Sequence, residues 1–443
     1  MNEVKDIKVV FICIVSLLVL YTGSVLALDS LTLKEALRAG LENNSNIKQS
    51  HLEVEKSEYD LELAERNWYP TLDLQSSYTR LEEAPPELDF TTLKPSEGSQ
   101  NSYNTQLTLQ QTIYSGGQIS LGIKQAEKGL TLAGLQAEQE ISEILYNIIE
   151  AYYNVLMAAE RVEIEEEALK VVKEHKRIVQ SSFKEGVALK TDVLQIEIKE
   201  GESEQSLQNA RNQLHLASKN LANLIGRDEQ DFQLVSPDIQ AAVELDLERL
   251  YQLALEKRPE LNMITVNKEI VETNIEMEER SHLPRLALAG NYSWQGSELE
   301  FDDGSWSVSL SGSLSIFDGG KSSTTEKKYQ KELTRLEESK SDLKELIRLD
   351  IESKILTARE NRAGIELKEL NLDKARENLR LEEMRYQEGV GTNIDVMNAQ
   401  NTLKQTKIGK MQAEYQYQLD LFELLQKTGQ LTGYCEEVIT NEK

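Results

Sequence analysis

A chain of 443 residues, moderately apolar at 39% hydrophobic residues, is long enough for two or three domains. Its 49 basic residues against 76 acidic ones give a net charge of −27, without the basic footprint that phosphate binding needs, which excludes nucleic acid as a partner. The acidity reads first as a solvated surface that keeps the chain soluble, and second as a lumen or rim biased against anions.

In chain order, residues 1–27 read as a secretory signal. Lys5 and Lys8 precede an apolar run from Val9 to Leu20 broken only by Ser16, and Val25-Leu26-Ala27 offers small residues for cleavage. The run is about 12 residues, short of the roughly 20 that span a bilayer as a helix. Cys13 lies inside it with no small residue just before, so no lipid attachment is expected there. Only Cys435 then remains, and no internal disulfide is possible. No later segment approaches 18 apolar residues. An exported chain of this kind re-enters a membrane only as strands.

A helical stretch is predicted from Leu31 to Trp68, ending before Pro70. Strands follow. Leu72, Leu74, Ser76 and Tyr78 alternate with Asp73, Gln75, Ser77 and Thr79. Tyr103, Leu107, Leu109 and Ile113 stand opposite Asn104, Gln106, Thr108, Gln110 and Thr112. Between them a Pro-rich acidic stretch, with Ala84-Pro85-Pro86 and Lys94-Pro95-Ser96, reads as a long surface loop. None of the 7 prolines falls between Gly116 and Ser236. From Ile119 to Lys184 apolar residues recur at three and four spacing, which predicts one helix of roughly 100 Å at about 1.5 Å per residue. A tight turn at Gly186 and a returning helix of about 37 residues complete the unit.

The pattern then repeats. A helical stretch from Leu247 to His282 ends before Pro284. Leu286, Leu288, Gly290, Tyr292 and Trp294 alternate with Ala287, Ala289, Asn291 and Ser293. In the return strand Ser305, Ser307, Ser309, Ser311, Ser313 and Ser315 take one face, and Trp306, Val308, Leu310, Gly312, Leu314 and Ile316 the other. A second proline-free helical hairpin turns near Gly389. Ile113-Tyr114-Ser115-Gly116-Gly117 matches Ile316-Phe317-Asp318-Gly319-Gly320, and Phe183, Gly186, Asp192 and Gly226 match Tyr386, Gly389, Asp395 and Gly429, all at the separation of 113 from 316. Upstream, Arg66 and Pro70 match Arg280 and Pro284 at a larger separation, so the first copy carries extra residues between Pro70 and Gly116. The expected divisions are a signal at 1–27, a first repeat at 28–226, a linker at 227–245, a second repeat at 246–429 and a tail at 430–443. The β-hairpins fall at about 70–115 and 284–318, and the helical hairpins at about 118–226 and 321–429.

Each strand is about 10 residues, close to the ~9–11 that cross a bilayer when tilted. Tyr78, Tyr103, Tyr292, Trp294, Trp306 and Phe317 sit near strand ends, where a membrane interface favours aromatics. The opposite face is small and polar, which suits a water-filled lumen. A half-buried sheet in a soluble domain would show the same period but neither feature. Four strands cannot close a barrel, which takes about eight. An open edge is not tolerated in lipid, so the chain must oligomerise. Two copies give a barrel filled by its own side chains; three give an open, serine-lined channel.

Taken together, Leu41-Glu42-Asn43-Asn44 with Ile47, Arg66 with Pro70, the two Gly-Gly motifs, Phe183-x-x-Gly186-Val187 with Thr191-Asp192-Val193-Leu194, and Tyr386-x-x-Gly389-Val390 with Asp395-Val396 resemble the TolC-type outer-membrane efflux proteins. The resemblance covers about Leu31 to Gly429. It implies a mainly α fold with a membrane β-barrel portion: a homotrimer forming a twelve-stranded barrel continuous with a long periplasmic helical barrel. It also implies a periplasmic adaptor and an inner-membrane pump as partners. The tip of such proteins is narrowed by acidic residues, here Asp395 and, one turn on, Asn398 where better-known members carry a second Asp. Asp192 matches the partner aspartate on the other hairpin and Tyr386 the tyrosine that holds the tip shut, while Gly391 replaces a frequent Arg. Gly186, Val187, Ala188 and Leu189, with Gly389, Val390, Gly391 and Thr392, correspond to the adaptor-docking turns. Read from position alone, Asp192 and Asp395 are helix N-capping acids.

No phosphate loop, metal-ligand spacing or nucleophile arrangement appears, so neither an enzyme nor a cofactor is expected. His51, His175, His215 and His282 are scattered and read as solvated or packing residues. Glu298, Glu300, Asp302 and Asp303 read as a solvated acidic loop rather than a calcium site. The resulting expectation is a passive duct for efflux or secretion. The rivals are a periplasmic coiled-coil adaptor, which would have one hairpin and a barrel domain, and a structural scaffold, which gives the serine-faced strand no role.

Overall fold

The computed structural model describes residues 30–89, 94–97, 99–227, 233–235, 243–298 and 304–440. The expected signal at 1–27, with Cys13, and the loop acids Glu300, Asp302 and Asp303 lie outside them. The first repeat runs β1 (Ser30–Leu31), α1 (Leu33–Asn43), α2 (Ser45–Arg66), β2 (Thr71–Arg80), β3 (Pro86–Asp89), β4 (Lys94–Glu97), β5 (Asn101–Tyr114), α3 (Gln118–Lys184) and α4 (Lys190–Leu224). After β6 (Gln233–Leu234), the second runs α5 (Leu247–Lys257), α6 (Pro259–Glu279), β7 (Arg285–Gly296), β8 (Ser305–Ser313), α7 (Lys321–Gln387) and α8 (Asn393–Lys427). Helix α9 (Leu431–Thr440) occupies the segment read as a tail. The duplication is visible in the lengths: α3 and α7 each have 67 residues, and α4 and α8 each have 35.

The helical stretch that opens each copy is broken in the structure. Asn44 separates α1 from α2 and Arg258 separates α5 from α6, at equivalent places in the duplication. Arg258 takes an extended conformation because Pro259 follows it at the first helical position. The insertion in the first copy is also more ordered than a plain loop. Its backbone forms a second antiparallel ladder in which Pro86 faces Glu97 and Asp89 faces Lys94.

The chain divides into two compact units. One comprises Asn46–Ile141 and Leu247–Ile351 and holds the main sheet, antiparallel throughout, in the order β2-β5-β7-β8. Strands β2 and β8 are its edges. Strand β8 ends at Ser313, so Ser315 lies outside it; Ser313 pairs with Arg285, and the next residue of the partner, Pro284, has no N–H to continue the ladder. Among the described residues no helix is long and apolar enough to cross a membrane.

The other unit comprises Met1–Ser45, Ser142–Asp246 and Glu352–Lys443. Helix α1 begins at a capping box: Thr32 Oγ1 accepts from Glu35 N at 3.2 Å, and Glu35 Oε2 accepts from Thr32 N at 2.8 Å. Leu33, Ala36, Leu37 and Gly40 then bury one stripe. The largest fully buried side chains include Tyr152, Tyr153, Phe422, Ile148, Ile149 and Leu221. Tyr152 shares its hydroxyl proton between Leu31 O at 3.0 Å and Val235 O at 2.5 Å, fixing the parallel pair β1 and β6. Helix α9 adds buried Leu431 and Cys435, whose thiol is pushed up to about 12 by burial.

Candidate functional site

Two regions carry the residues singled out by sequence: the faces of the sheet and the turns between the long helices. In the sheet, register decides what shares a face. Gln75 pairs with Gln106, Gln106 with Ser293 and Ser293 with Ser305; Asp73 pairs with Thr108, Thr108 with Asn291 and Asn291 with Ser307. The polar alternates of all four strands therefore line one face. Asn291 Oδ1 accepts from Thr108 Oγ1 at 3.0 Å and from Gln106 Nε2 at 3.3 Å, and the Ser293 and Ser305 hydroxyls lie 3.2 Å apart. Ser305, Ser307, Ser309, Ser311 and Ser313 are all on this face; Ser315 is not in the strand.

The other face is apolar. Leu74 pairs with Leu107, which pairs with Tyr292, which pairs with Trp306; Leu288 pairs with Leu310. Leu72, Leu74, Val308 and Leu310 are 63–70% exposed, an unpartnered apolar band that water would not tolerate. Tyr78 and Tyr103 stack at 4.8 Å between centroids, and Tyr78 donates to Asn101 Oδ1 at 2.9 Å. Tyr78, Tyr103, Tyr292 and Trp306 thus gather at the loop end of the strands. Trp294 differs: it is 4% exposed, with its ring against Gly296. At the other strand end Trp68, Tyr69, Tyr114 and Phe317 are exposed, so aromatics bound the leucine band on both sides. A bulge between Thr112 and Tyr114 leaves Ile113 unpaired and puts Tyr114 opposite Leu286, so Tyr114 takes the place expected of Ile113.

The turns are built twice by one device. Gly186 has φ of 79° and Gly389 of 73°, the left-handed conformation that ends a helix at low cost. Val187 N donates to Ser182 O at 2.8 Å and Val390 N to Arg385 O at 2.9 Å, closing both turns as Schellman motifs. Val187, Leu189 and Val390 project 68–75% exposed. Ala188 is half-buried and Thr392 exposed. Gly391 N also donates to Arg385 O, and a Cβ there would stand 2.9 Å from Tyr386 N. An arginine at this position would force the turn to shift, which accounts for the glycine.

Asp192 and Asp395 are the third residues of α4 and α8. Asp192 Oδ2 accepts from Leu189 N at 3.0 Å. Asp395 Oδ2 accepts from the Thr392 hydroxyl at 2.7 Å and from Thr392 N at 3.1 Å, and these bonds hold its carboxyl below the usual carboxylate range. The capping role is therefore real for both. Asn398 is exposed one turn on. Tyr386 packs into two small cores, with Val172, Val179, Val193 and Ile196 on one side and Leu379, Val396 and Ala399 on the other. Burial, and then the neighbouring Asp192 carboxylate, raise its hydroxyl above the ordinary tyrosine range.

His175, which the sequence presents as a solvated or packing residue, makes a buried polar tie. It is 5% exposed on α3, with Nε2 2.9 Å from Oδ1 of Asn393, itself 2% exposed on α8. Tyr386 meets the imidazole edge-to-face at 5.2 Å. Asn393 Nδ2 reaches Asp192 O and Gln195 Oε1, each at 3.4 Å. Among the described residues no cluster of His, Cys, Asp or Glu could hold a metal ion.

A model of the family described as outer membrane efflux protein matches residues 36–227 and 250–430. The outer membrane efflux protein BepC of Brucella suis is 23% identical over 434 residues, 95% of this chain and 91% of that protein. The outer membrane channel CmeC of Campylobacter jejuni superposes with a TM-score of 0.75 at 17% identity, over 93% of this chain and 90% of that one. The open state of the Neisseria gonorrhoeae channel MtrE superposes with a TM-score of 0.69 at 17% identity, over 90% and 89%.

Proposed function

This chain belongs to the outer membrane efflux protein family, and from that premise we propose that three copies close their sheets into one twelve-stranded barrel and their helical hairpins into a periplasmic tube. The family assignment makes it an outer-membrane exit channel. The observation that carries the trimer is the sheet itself: four strands, two unpaired edges, one apolar face and one polar face. In hydrocarbon both edges must pair, and only another copy offers the complementary strand. Twelve strands enclose water, which the serine face favours; eight would be filled by side chains.

The tube's exit is passive, and energy comes from a periplasmic adaptor and an inner-membrane pump. Val187, Leu189 and Val390, with Gly186, Ala188, Gly389, Gly391 and Thr392 shaping the turns, form the surface the adaptor meets, because exposed apolar side chains on solvent-facing turns need a partner. Asp395 and Asn398 narrow the pore from α8, with Asp192 and Tyr386 behind them. A ring of three Asp395 carboxylates concentrates cations and repels anions. In planar bilayers Asp395→Ala is expected to weaken block by divalent cations at least several-fold, at the cost of about 1 kcal/mol of helix capping. Block equal to that of the wild type would remove Asp395 from the constriction.

A further inference from the structure

We propose that His175 is a latch residue of the tip: its neutral imidazole ties the two helical hairpins of one protomer together through Asn393, and its protonation releases them. This deepens the channel reading above and rests on it.

The tie is the one buried polar contact described between α3 and α8 at this level. Further along the same pair of helices lie the ion pairs Lys404–Glu165, at 3.2 Å, and Lys407–Glu167. Between these and the tie, the Gln400 amide is buried with neither Oε1 nor Nε2 bonded among the described residues. The seam is thus fixed by charges above Gln400 and, below it, by His175–Asn393 and the Tyr386 ring. An unsatisfied amide marks the place where the lower segment can part from the upper at least cost. The duplication sharpens the assignment. Asn378 and Lys190 occupy the positions equivalent to His175 and Asn393, so the tie exists once per protomer; Lys190 instead lies over the exposed Phe183 ring at 5.8 Å.

The chemistry makes the latch acid-sensitive. Asn393 Nδ2 points at Asp192 O and Gln195 Oε1, which leaves its Oδ1 to accept from Nε2–H of a neutral imidazole. Charging the ring in this site is opposed by burial, which lowers its proton affinity, and the Asn393 contact offsets this only in part. The charged groups on the surrounding elements include Lys176 with its partner Glu200, Arg177 with its partner Glu174, Asp192, Glu382 with its partner Arg385, Glu383, and Asp395. The influences on the imidazole are burial and the Asn393 contact, with no charged neighbour among them. A histidine whose affinity is depressed when closed and ordinary when solvated favours the closed tip above about pH 6.5. As pH falls below that value, the open form protonates first, and each latch shifts toward opening by about tenfold per unit until the closed-state value is reached.

The test is the open probability of the purified full-length protein in planar bilayers at pH 7.5 and 5.5, with heat-modifiable trimer as the check on folding. The wild type is expected to open more at pH 5.5 than at pH 7.5, by at most about tenfold for each latch. His175→Gln, and His175→Asn as a second variant, should abolish that rise, because an amide donates a hydrogen bond but does not titrate. Asn393→Ala should raise opening at pH 7.5, and Glu383→Gln should keep the wild-type rise. A wild type without the rise, a rise that survives in both His175 variants, or a rise lost in Glu383→Gln overturns the latch. Failure of the wild type to form any pore would instead remove the channel reading.

Discussion

Leu310→Arg is expected to eliminate the assembled trimer, while Ser309→Arg, one residue away on the same strand, leaves it formed. Leu310 is 68% exposed on the face shared by Leu288, Leu107 and Leu74, midway along β8. An arginine at mid-bilayer on the lipid face of a barrel costs about 2–4 kcal/mol, and a trimer carries the cost three times. Ser309 faces the polar side with Ala289 and Gln110, where an arginine meets water. The readout is the heat-modifiable trimer after refolding into lipid vesicles. Equal loss from both substitutions would mean that the two faces are not lipid and water.

Tyr152→Ala is expected to have the largest effect on the helical unit, about 3–5 kcal/mol, because it empties a fully buried site. Tyr152→Phe separates packing from hydrogen bonding. Leu31 O keeps the Val235 N–H at 3.3 Å, so the loss falls on Val235 O, which the hydroxyl contacts at 2.5 Å. Val235 is itself exposed, so water can replace the donor and the loss is that of one ordinary hydrogen bond, about 0.5–1.5 kcal/mol. Thermal denaturation followed by circular dichroism should rank wild type, Phe and Ala in that order. A Phe variant as stable as the wild type would show that this hydroxyl does not hold β1 and β6 together.

The periodic features were legible. Period-two alternation located β2, β5, β7 and β8, and the shared separation of Ile113 from Ile316 located the two helical hairpins. What sequence could not supply was cross-strand register. Only pairing shows that Gln75, Gln106, Ser293 and Ser305 share a face, and that the bulge after Thr112 moves Tyr114 into the place expected of Ile113. The serine alternation runs past the end of β8 because the limit is set by Pro284, just before β7. The breaks at Asn44 and Arg258 were hidden because both flanks remain helical, although Pro259 was a visible signal. Position alone groups Trp294 with the interface aromatics, while its ring is buried.

At the turns, Asp192 and Asp395 were legible as capping acids, because an acid at the third helical position satisfies free backbone N–H groups. Gly391 was legible only as a departure; its cause, the backbone of Arg385 and Tyr386, needed coordinates. His175 was illegible in principle. Its partner Asn393 is 218 residues away, and one histidine on a long amphipathic helix carries no local sign of a polar tie.

The free edges of the four-stranded sheet should meet between copies, with three copies closing the ring. Cysteines placed at Leu74 on β2 and at Val308 or Leu310 on β8 test it directly, since all three are exposed on one face of the two edge strands. Oxidation of the membrane-inserted protein, followed by denaturing electrophoresis, is predicted to give a ladder of two and three linked chains that stops at three. A ladder that stops at two, or an absence of linked chains across every pairing of these positions, would contradict it.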